Sequence, residues 1–477
     1  MEVEKMENAQ YETTAQHSAY LGTEPIRKLL LKFSVPCVLS MLVSALYNIV
    51  DQIFIGQGVG YLGNAATNVV YPFTVIALAV SLLIGDGSAA LLSLSLGRRD
   101  TEEAHRSVGN CISLTVLCAI LLTLVGFVWQ DDILRLFGVT AECMDYAHAY
   151  MLPILIGLPF YMFTSACNGI IRADGSPQYA MASTIMGAVM NLILDPIAIF
   201  VLHWDVSGAA IATAAGQVVT ALLSALYFRR TKTFMLRRES FCLHGRTVRT
   251  LSGLGVSSLI IQLAIVIVMA VANNMINRYG PDSIYGANIP LSAVGIVMKV
   301  FAIVVSFVVG IALGGQPVVG YNFGAGNYRR VFSVCRLILL ANIVVGVIAM
   351  ALFELCPLAI IHLFGSESAL YNEYAVLCFR IFLGGILLFC VQRASSIFLM
   401  SMGRAFASTL LSVCRDVLFF VPAIVLLAHL YGVVGMLWAA VISDILSFLL
   451  TVVLMLREYR RIRKLETADT RQAVPAA

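Results

Sequence analysis

Charge is the scarcest property of this sequence. Only 12% of its 477 residues are Asp, Glu, Lys or Arg, against 60% hydrophobic, and the mean hydropathy is +0.89. An ordinary soluble domain carries about 25% charged residues. A soluble globule is therefore excluded and a polytopic membrane protein is expected. Paired cysteines are missing as well: the eleven are scattered, none forms a CxxC, and most (Cys37, Cys118, Cys167, Cys378, Cys390, Cys414) lie in apolar runs. That pattern points away from a metal site or a disulfide framework and toward core usage. The seven His form no ligand cluster, and neither HExxH nor GxSxG occurs, which removes the common hydrolase constellations. The polar first 30 or so residues contain no basic-then-apolar unit with a small-residue cleavage site, so no signal peptide is expected. A net charge of +4 would hint at nucleic acid in a soluble protein; in a membrane protein its distribution matters instead, and no nucleic-acid partner is expected.

What is present is a series of apolar runs. Taking about 20 apolar residues as the length that crosses a bilayer, twelve spans fall at 34–55, 68–92, 109–129, 146–170, 178–201, 207–228, 253–277, 286–312, 332–353, 374–399, 406–428 and 432–456. They must be helices, because backbone groups in lipid have to be satisfied within their own segment. Arg27, Lys28 and Lys32 precede the first span, Arg98, Arg99 and Arg106 follow the second, and Arg172 follows the fourth. The loop after the sixth carries RRTKTFMLRRES with Arg246 and Arg249; Arg329, Arg330 and Arg336 follow the eighth, Arg404 the tenth, and REYRRIRK the twelfth. Only Arg135 and Arg278 occupy loops on the other side. The positive-inside rule then places both termini in the cytoplasm of a cell (inner) membrane.

An internal repeat emerges at an offset of 227 residues: Gly97 falls on Gly324, Phe137-Gly138 on Phe364-Gly365, Gly157 on Gly384 and Gly208 on Gly435. With six spans in each half, the halves enter the membrane in the same direction, a parallel repeat about an axis along the membrane normal. The expected organisation is all-α: a cytoplasmic segment 1–33, a six-helix bundle 34–228, a linker 229–252, a second six-helix bundle 253–456 and a basic tail 457–477. Two like bundles with a cleft between them suit an alternating-access carrier.

The polar residues inside the spans carry the chemistry. NLILDPIAIF, residues 191–200, places Asp195 and Pro196 in an apolar run, where an Asp costs roughly 2.5 to 3.5 kcal/mol at a helix centre. Asp51, in SALYNIVDQIFIG, sits at a similar depth in the first span, about 6 to 9 Å below the outer boundary at 1.5 Å per residue. Asn191 and Thr184 form a stripe with Asp195, Tyr47 and Asn48 lie one turn before Asp51, and Thr213 and Gln217 stand at matching depth in the sixth span. Oxygen-only ligands of this kind suit a hard cation such as Na+, and a close carboxylate pair would equally hold one proton. The bland alternative, water-accessible interfacial caps, fits Asp195 poorly because it is mid-helix and followed by Pro196, which frees a carbonyl a turn earlier. In the second half Lys299, Arg393, Arg415, Asp416 and Asp444 fall within spans and read as a salt-bridged network. The counterpart of Asp195 there is Pro422, and ANNMIN, the counterpart of the Asp51 region, holds no acid; a cation site is expected in the first half only. FGAGNYRR is glycine-rich, but no strand precedes it, so it reads as a tight cytoplasmic loop.

Three separated motifs, SVPCVLSMLVSALYNIVDQIFIG, IRADGSPQYAMASTIMGAVMNLILDP and GGQPVVGYNFGAGNYRRV, together resemble the MATE (multidrug and toxic compound extrusion) family, and its bacterial DinF and MepA-like members more than its NorM group. The resemblance covers about residues 24–456. It implies a drug and cation antiporter, with organic cations and other amphipathic drugs leaving as Na+ or H+ enters. No cofactor beyond that ion is expected, and a monomer in the lipid bilayer is the expected state. Carried over by position, it implies a cation site of Asp51, Asn191, Asp195 and Thr213, cavity residues Tyr47 and Asn168, and a helix bend at Pro36. The NorM group's second-half acids are matched here by Gln262 and Gln392. The competing reading is a lipid-linked oligosaccharide or peptidoglycan-precursor flippase of the same superfamily, which needs a strongly cationic first-half cavity. On the span boundaries above, every in-span basic residue falls in the second half, which weighs against it. An intramembrane enzyme would need a nucleophile or metal constellation that the spans do not display.

Overall fold

The computed structural model describes residues 19–286, 288–364 and 369–472. Residues 1–18 of the N-terminal segment, 473–477 of the basic tail, and Gly365 of the repeat comparison lie outside the described residues. The described chain contains helices and no strands. The first bundle comprises α1 (Ile26–Gly58), α2 (Tyr61–Arg98), α3 (Thr101–Val128), α4 (Met144–Ala173), α5 (Pro177–Pro196, continued by a π turn Ile197–Val201) and α6 (Asp205–Tyr227). The second comprises α7 (Gly245–Tyr279), α8 (Asn288–Gly324), α9 (Tyr328–Leu355) and three further spans. The tenth, α10, is Ala369–Phe382 joined to Ile386–Ser401 across a 47° bend. The last stretch, Ala405–Thr467, is 63 residues long and twice crosses the membrane, because Gly432 at φ 65° and ψ −154° breaks it into α11 before and α12 after.

These helices outrun the apolar runs at their ends, since backbone bonding continues past the hydrocarbon slab once polar caps take over. Asp100 caps α3, accepting from Glu103 N at 3.1 Å, with Glu102 and Glu103 in the first turn where acids favour a helix start. Pro177 opens α5 at a position where its missing N–H costs nothing. The linker is tied to the first bundle by Asp174, which is fully buried and accepts from the Tyr227 hydroxyl, Lys232 N at 2.9 Å and Thr233 N at 2.7 Å. α1 runs unbroken through Pro36.

The bundles meet through an equivalent pair of contacts, α2 against α7 and α1 against α8, and through α2 against α8. The parallel repeat maps one onto the other, since α1 corresponds to α7 and α2 to α8. Glycine permits backbone contact there: a Cβ on Gly255 would sit 1.8 Å from Leu83 O, one on Gly87 2.0 Å from Leu251 O, and one on Gly314 2.4 Å from Ser34 Cα. Gly97 and Gly324, the repeat-related pair, press on Tyr321 O and Leu94 O in the same way. All of these approaches lie in the half of each helix nearer the basic loops. In the other half of α8, a Cβ on Gly295 would meet nothing within 4 Å.

Candidate functional site

In the first bundle, α5 packs between α1 and α6, so the polar stripe on α5 faces side chains from both. Asn191 and Asp195, 4% and 1% exposed, sit in that contact. Asn191 Nδ2 donates to Asp195 Oδ1 at 3.2 Å and to Thr213 Oγ1 on α6 at 3.1 Å. The Asp51 carboxyl, from α1, approaches Asp195 closely enough for the two to interact as a pair. Asp51 Oδ1 and Asp195 Oδ2 are buried without a hydrogen-bond donor. An undonated carboxylate oxygen away from water is expensive, and a small cation or a shared proton between the two acids would remove that cost. Carboxylate, amide carbonyl and hydroxyl oxygens are the donor set of a hard monovalent cation.

Beside this pair lies a cavity of about 640 Å³ between the bundles, within the range of drug-sized pockets. Tyr47, Asn48, Asn168, Thr184 and Gln217 all line it, as do Asn191 and Thr213. Asp51 and Asp195 do not; they stand one layer behind, reached past Asn191 and Thr213. Thr184 accepts from Asn168 Nδ2 at 3.2 Å, and Gln217 Oε1 is buried without a donor.

The second bundle contributes a different wall. Arg415 Nε donates to Asp444 Oδ1 at 3.0 Å and its Nη1 to Asp416, while Arg393 reaches Asp416 Oδ2 at 3.3 Å. Both guanidiniums lie over the Phe389 ring, 5.3 Å from its centroid for Arg393 and 4.6 Å for Arg415. Lys299, grouped with these four by its position in a span, is a correction: it makes no ion pair among the described residues and is not in the cavity lining. A span position alone does not say which way a long flexible side chain turns. Gln262 lines the cavity, whereas Gln392 is fully buried and donates to Leu411 O at 3.1 Å.

A second correction concerns Arg172. It does not merely follow the fourth span: α4 continues to Ala173, and the guanidinium turns back to line the cavity floor beside Asn168 and Asp86. The first half therefore does contribute a basic residue at membrane depth, and that argument against a flippase falls. Asp86, within SLLIGDGSAALL on α2, is also absent from the expected site, although an acid inside an apolar run is the same signal that marks Asp195. The acidic and basic residues of the lining are Asp86, Asp416 and Asp444 with Arg172, Arg393 and Arg415, so the wall is formally neutral.

Two six-helix bundles related by a parallel repeat, with one central cavity and buried acids beside it, define a membrane carrier. Residues 36–197 and 257–426 match the family model MatE, once in each bundle. The chain belongs to the MATE family. Among curated proteins it is 22% identical to the multidrug export protein MepA of Staphylococcus haemolyticus, over 89% of this chain and 92% of that one. Among solved structures it is 32% identical to the MATE multidrug transporter DinF-BH, captured with a bound ligand, with a TM-score of 0.84 over 94% of this chain and 98% of that chain. It also superposes with a TM-score of 0.84, at 24% identity, on the outward-facing conformation of a multidrug resistance MATE family transporter, over 94% of this chain and 99% of that one.

Proposed function

We propose that the protein is a multidrug efflux antiporter of the cell membrane that exports amphipathic organic cations in exchange for inward movement of Na+ or H+, as a monomer. The observation that carries this reading is the Asp51–Asp195 pair, buried with two undonated oxygens one layer behind the cavity wall. Names of relatives support the drug half of the reading: MepA is a multidrug export protein, and DinF-BH is a multidrug transporter. The distribution of basic residues supports cytoplasmic termini, and the bundle contacts are then closed toward the cytoplasm with the cavity facing outward. A cation entering from outside binds Asp51, Asn191, Asp195 and Thr213, on α1, α5 and α6. Drug and ion then compete because each favours a different arrangement of those helices, which is a coupling free energy between two neighbouring sites.

Arg172, Arg393 and Arg415 on the cavity wall favour a second reading, a flippase for lipid-linked pyrophosphates. The pairing of Arg393 and Arg415 with Asp416 and Asp444 weakens it, since a pyrophosphate would have to displace a carboxylate at both of those arginines, while Arg172 is held less closely by Asp86 at 3.8 Å. The deciding experiment is efflux of a fluorescent cationic dye from vesicles under an imposed Na+ gradient or an imposed pH gradient, for wild type and Asp195→Asn. Efflux driven by one gradient and lost in Asp195→Asn is the expected result and identifies the ion. Full gradient-driven efflux by a normally abundant Asp195→Asn protein would refute the coupling role, and no efflux by well-folded wild type under either gradient would favour the flippase.

A further inference from the structure

Three carboxylates line the cavity, and their surroundings differ. Asp416 is held by both Arg393 at 3.3 Å and Arg415, and Asp444 by Arg415 at 3.0 Å. Asp86 has the loosest basic partner: Arg172 Nη2 stands 3.8 Å from Asp86 Oδ1, beyond hydrogen-bond reach, while its Nη1 donates to Asn168. Arg172 Nε is buried with no acceptor. The guanidinium is thus shared between an amide and a distant carboxylate and satisfies neither the acid nor itself. On its other oxygen Asp86 accepts from Ser258 Oγ of α7 at 2.8 Å, and its backbone carbonyl accepts from Gln316 Nε2 of α8 at 3.3 Å. Asp86 is 5% exposed, at the floor of the cavity where the two bundles close.

We propose that Asp86 is the carboxylate that receives the positive charge of a transported organic cation, its Oδ1 taking the charged nitrogen in place of the loosely held Arg172 guanidinium. This rests on the efflux reading above and deepens it by naming the substrate's counter-charge. The site's chemistry is that of a protonated amine or a delocalised organic cation with an apolar body. Aromatic and thioether groups around the floor and walls, Tyr161, Met400 and Phe389, accommodate such a body. Asp51 and Asp195 are unsuited to this task because they stand behind the wall, beyond the reach of a bulky ligand. Asp416 and Asp444 are unsuited because their arginines would have to be displaced first. Asp86 also bonds the opposite bundle, so a cation seated on it lies at the contact that must open for the cavity to face the other way.

The test is equilibrium binding, without any gradient, to the purified full-length protein at fixed pH and Na+. A fluorescent monocationic dye and an uncharged dye of similar size are titrated against wild type, Asp86→Asn and Arg172→Gln. Loss of one charge-assisted contact corresponds to about tenfold or more in Kd. Asp86→Asn is expected to weaken the cationic dye by at least about that factor while leaving the uncharged dye within about twofold. Arg172→Gln, which removes the competing charge, is expected to tighten the cationic dye, and it keeps the proposal testable should Asp86→Asn fail to fold. Equal weakening of both dyes by Asp86→Asn, no change in either, or weaker cation binding in Arg172→Gln overturns it. The titration is then repeated across a series of Na+ concentrations and pH values; if Asp86→Asn alters only the Na+ or pH dependence of binding, the residue serves the coupling ion and the proposal fails. Because no gradient is applied, the outcome is independent of whether Asp195→Asn retains coupled efflux.

Discussion

The Asn191 side-chain amide donates to Asp195 at 3.2 Å and to Thr213 at 3.1 Å, so one group on α5 holds both the acid on its own helix and the hydroxyl on α6. Those two bonds use its N–H donors and leave its carbonyl oxygen available, the arrangement an amide needs to help ligate a cation while steadying a carboxylate. Asn191→Leu keeps the branched shape and heavy-atom count and removes both bonds. The expected outcome is a loss of about tenfold or more in apparent affinity for the coupling ion, the size of one hydrogen bond to a charged group. The measurement is dye efflux as a function of external Na+ or pH, alongside dye binding. A merely structural role would depress both together, whereas an ion-site role shifts the ion dependence and spares dye binding.

The quartet of Arg393, Arg415, Asp416 and Asp444 is buried, with side chains 4% to 14% exposed. Removing one member leaves an uncompensated charge beside the cavity, which in buried pairs costs roughly 3 to 5 kcal/mol. Arg415 touches both acids, so Arg415→Ala is expected to lower the thermal unfolding midpoint in detergent more than Arg393→Ala does. Lys299→Ala, which breaks no ion pair among the described residues, is expected to stay within about 0.5 kcal/mol of wild type. A Lys299→Ala protein as unstable as Arg415→Ala would return Lys299 to the network.

Among the described glycines, Gly255 makes the closest approach between the bundles, with 1.8 Å from a would-be Cβ to the Leu83 backbone oxygen, which has no side-chain freedom to retreat. Gly255→Val is expected to prevent closure on the side of the basic loops without unfolding either bundle. Thiol labelling of cysteines placed along α2 and α7 on that side should rise severalfold while gradient-driven efflux falls. Gly295→Ala, which has open space around it, is expected to leave both unchanged. Unaltered labelling and efflux in Gly255→Val would mean that the bundles separate little at that contact in the transport cycle.

Much of the architecture is legible without coordinates because a bilayer imposes it. Apolar length forces helices, the count of runs sets the spans, and matching glycines at one offset announce the repeat; Gly97 and Gly324 turn out to perform the same close approach on the two sides of the axis. Less legible is where each span ends. The apolar run around the fourth span stops at about residue 170, yet α4 carries on to Ala173 and returns Arg172 to the cavity. Hydropathy sees the change of composition, but an arginine reaches several ångströms back along its own helix, here to donate to Asn168 one turn earlier.

Composition and order alone determined that this chain is a two-bundle, all-helical membrane protein, and that Asp51 and Asp195 stand at one depth in a region rich in oxygen ligands. Those conclusions follow from period, length and offset, which are local or pairwise properties of the chain. Only the tertiary structure decided that the two acids form a pair behind the cavity wall, that Asn191 joins α5 to α6, that Lys299 stands apart from the charged quartet, and that Asp86 and Arg172 share the cavity floor. The physical reason is that a helix presents each side chain at a fixed azimuth, and which azimuth meets a partner is set by the rotation and approach of neighbouring helices. Here those are governed by glycines that let backbones touch, a relationship between residues some 170 positions apart, such as Leu83 and Gly255.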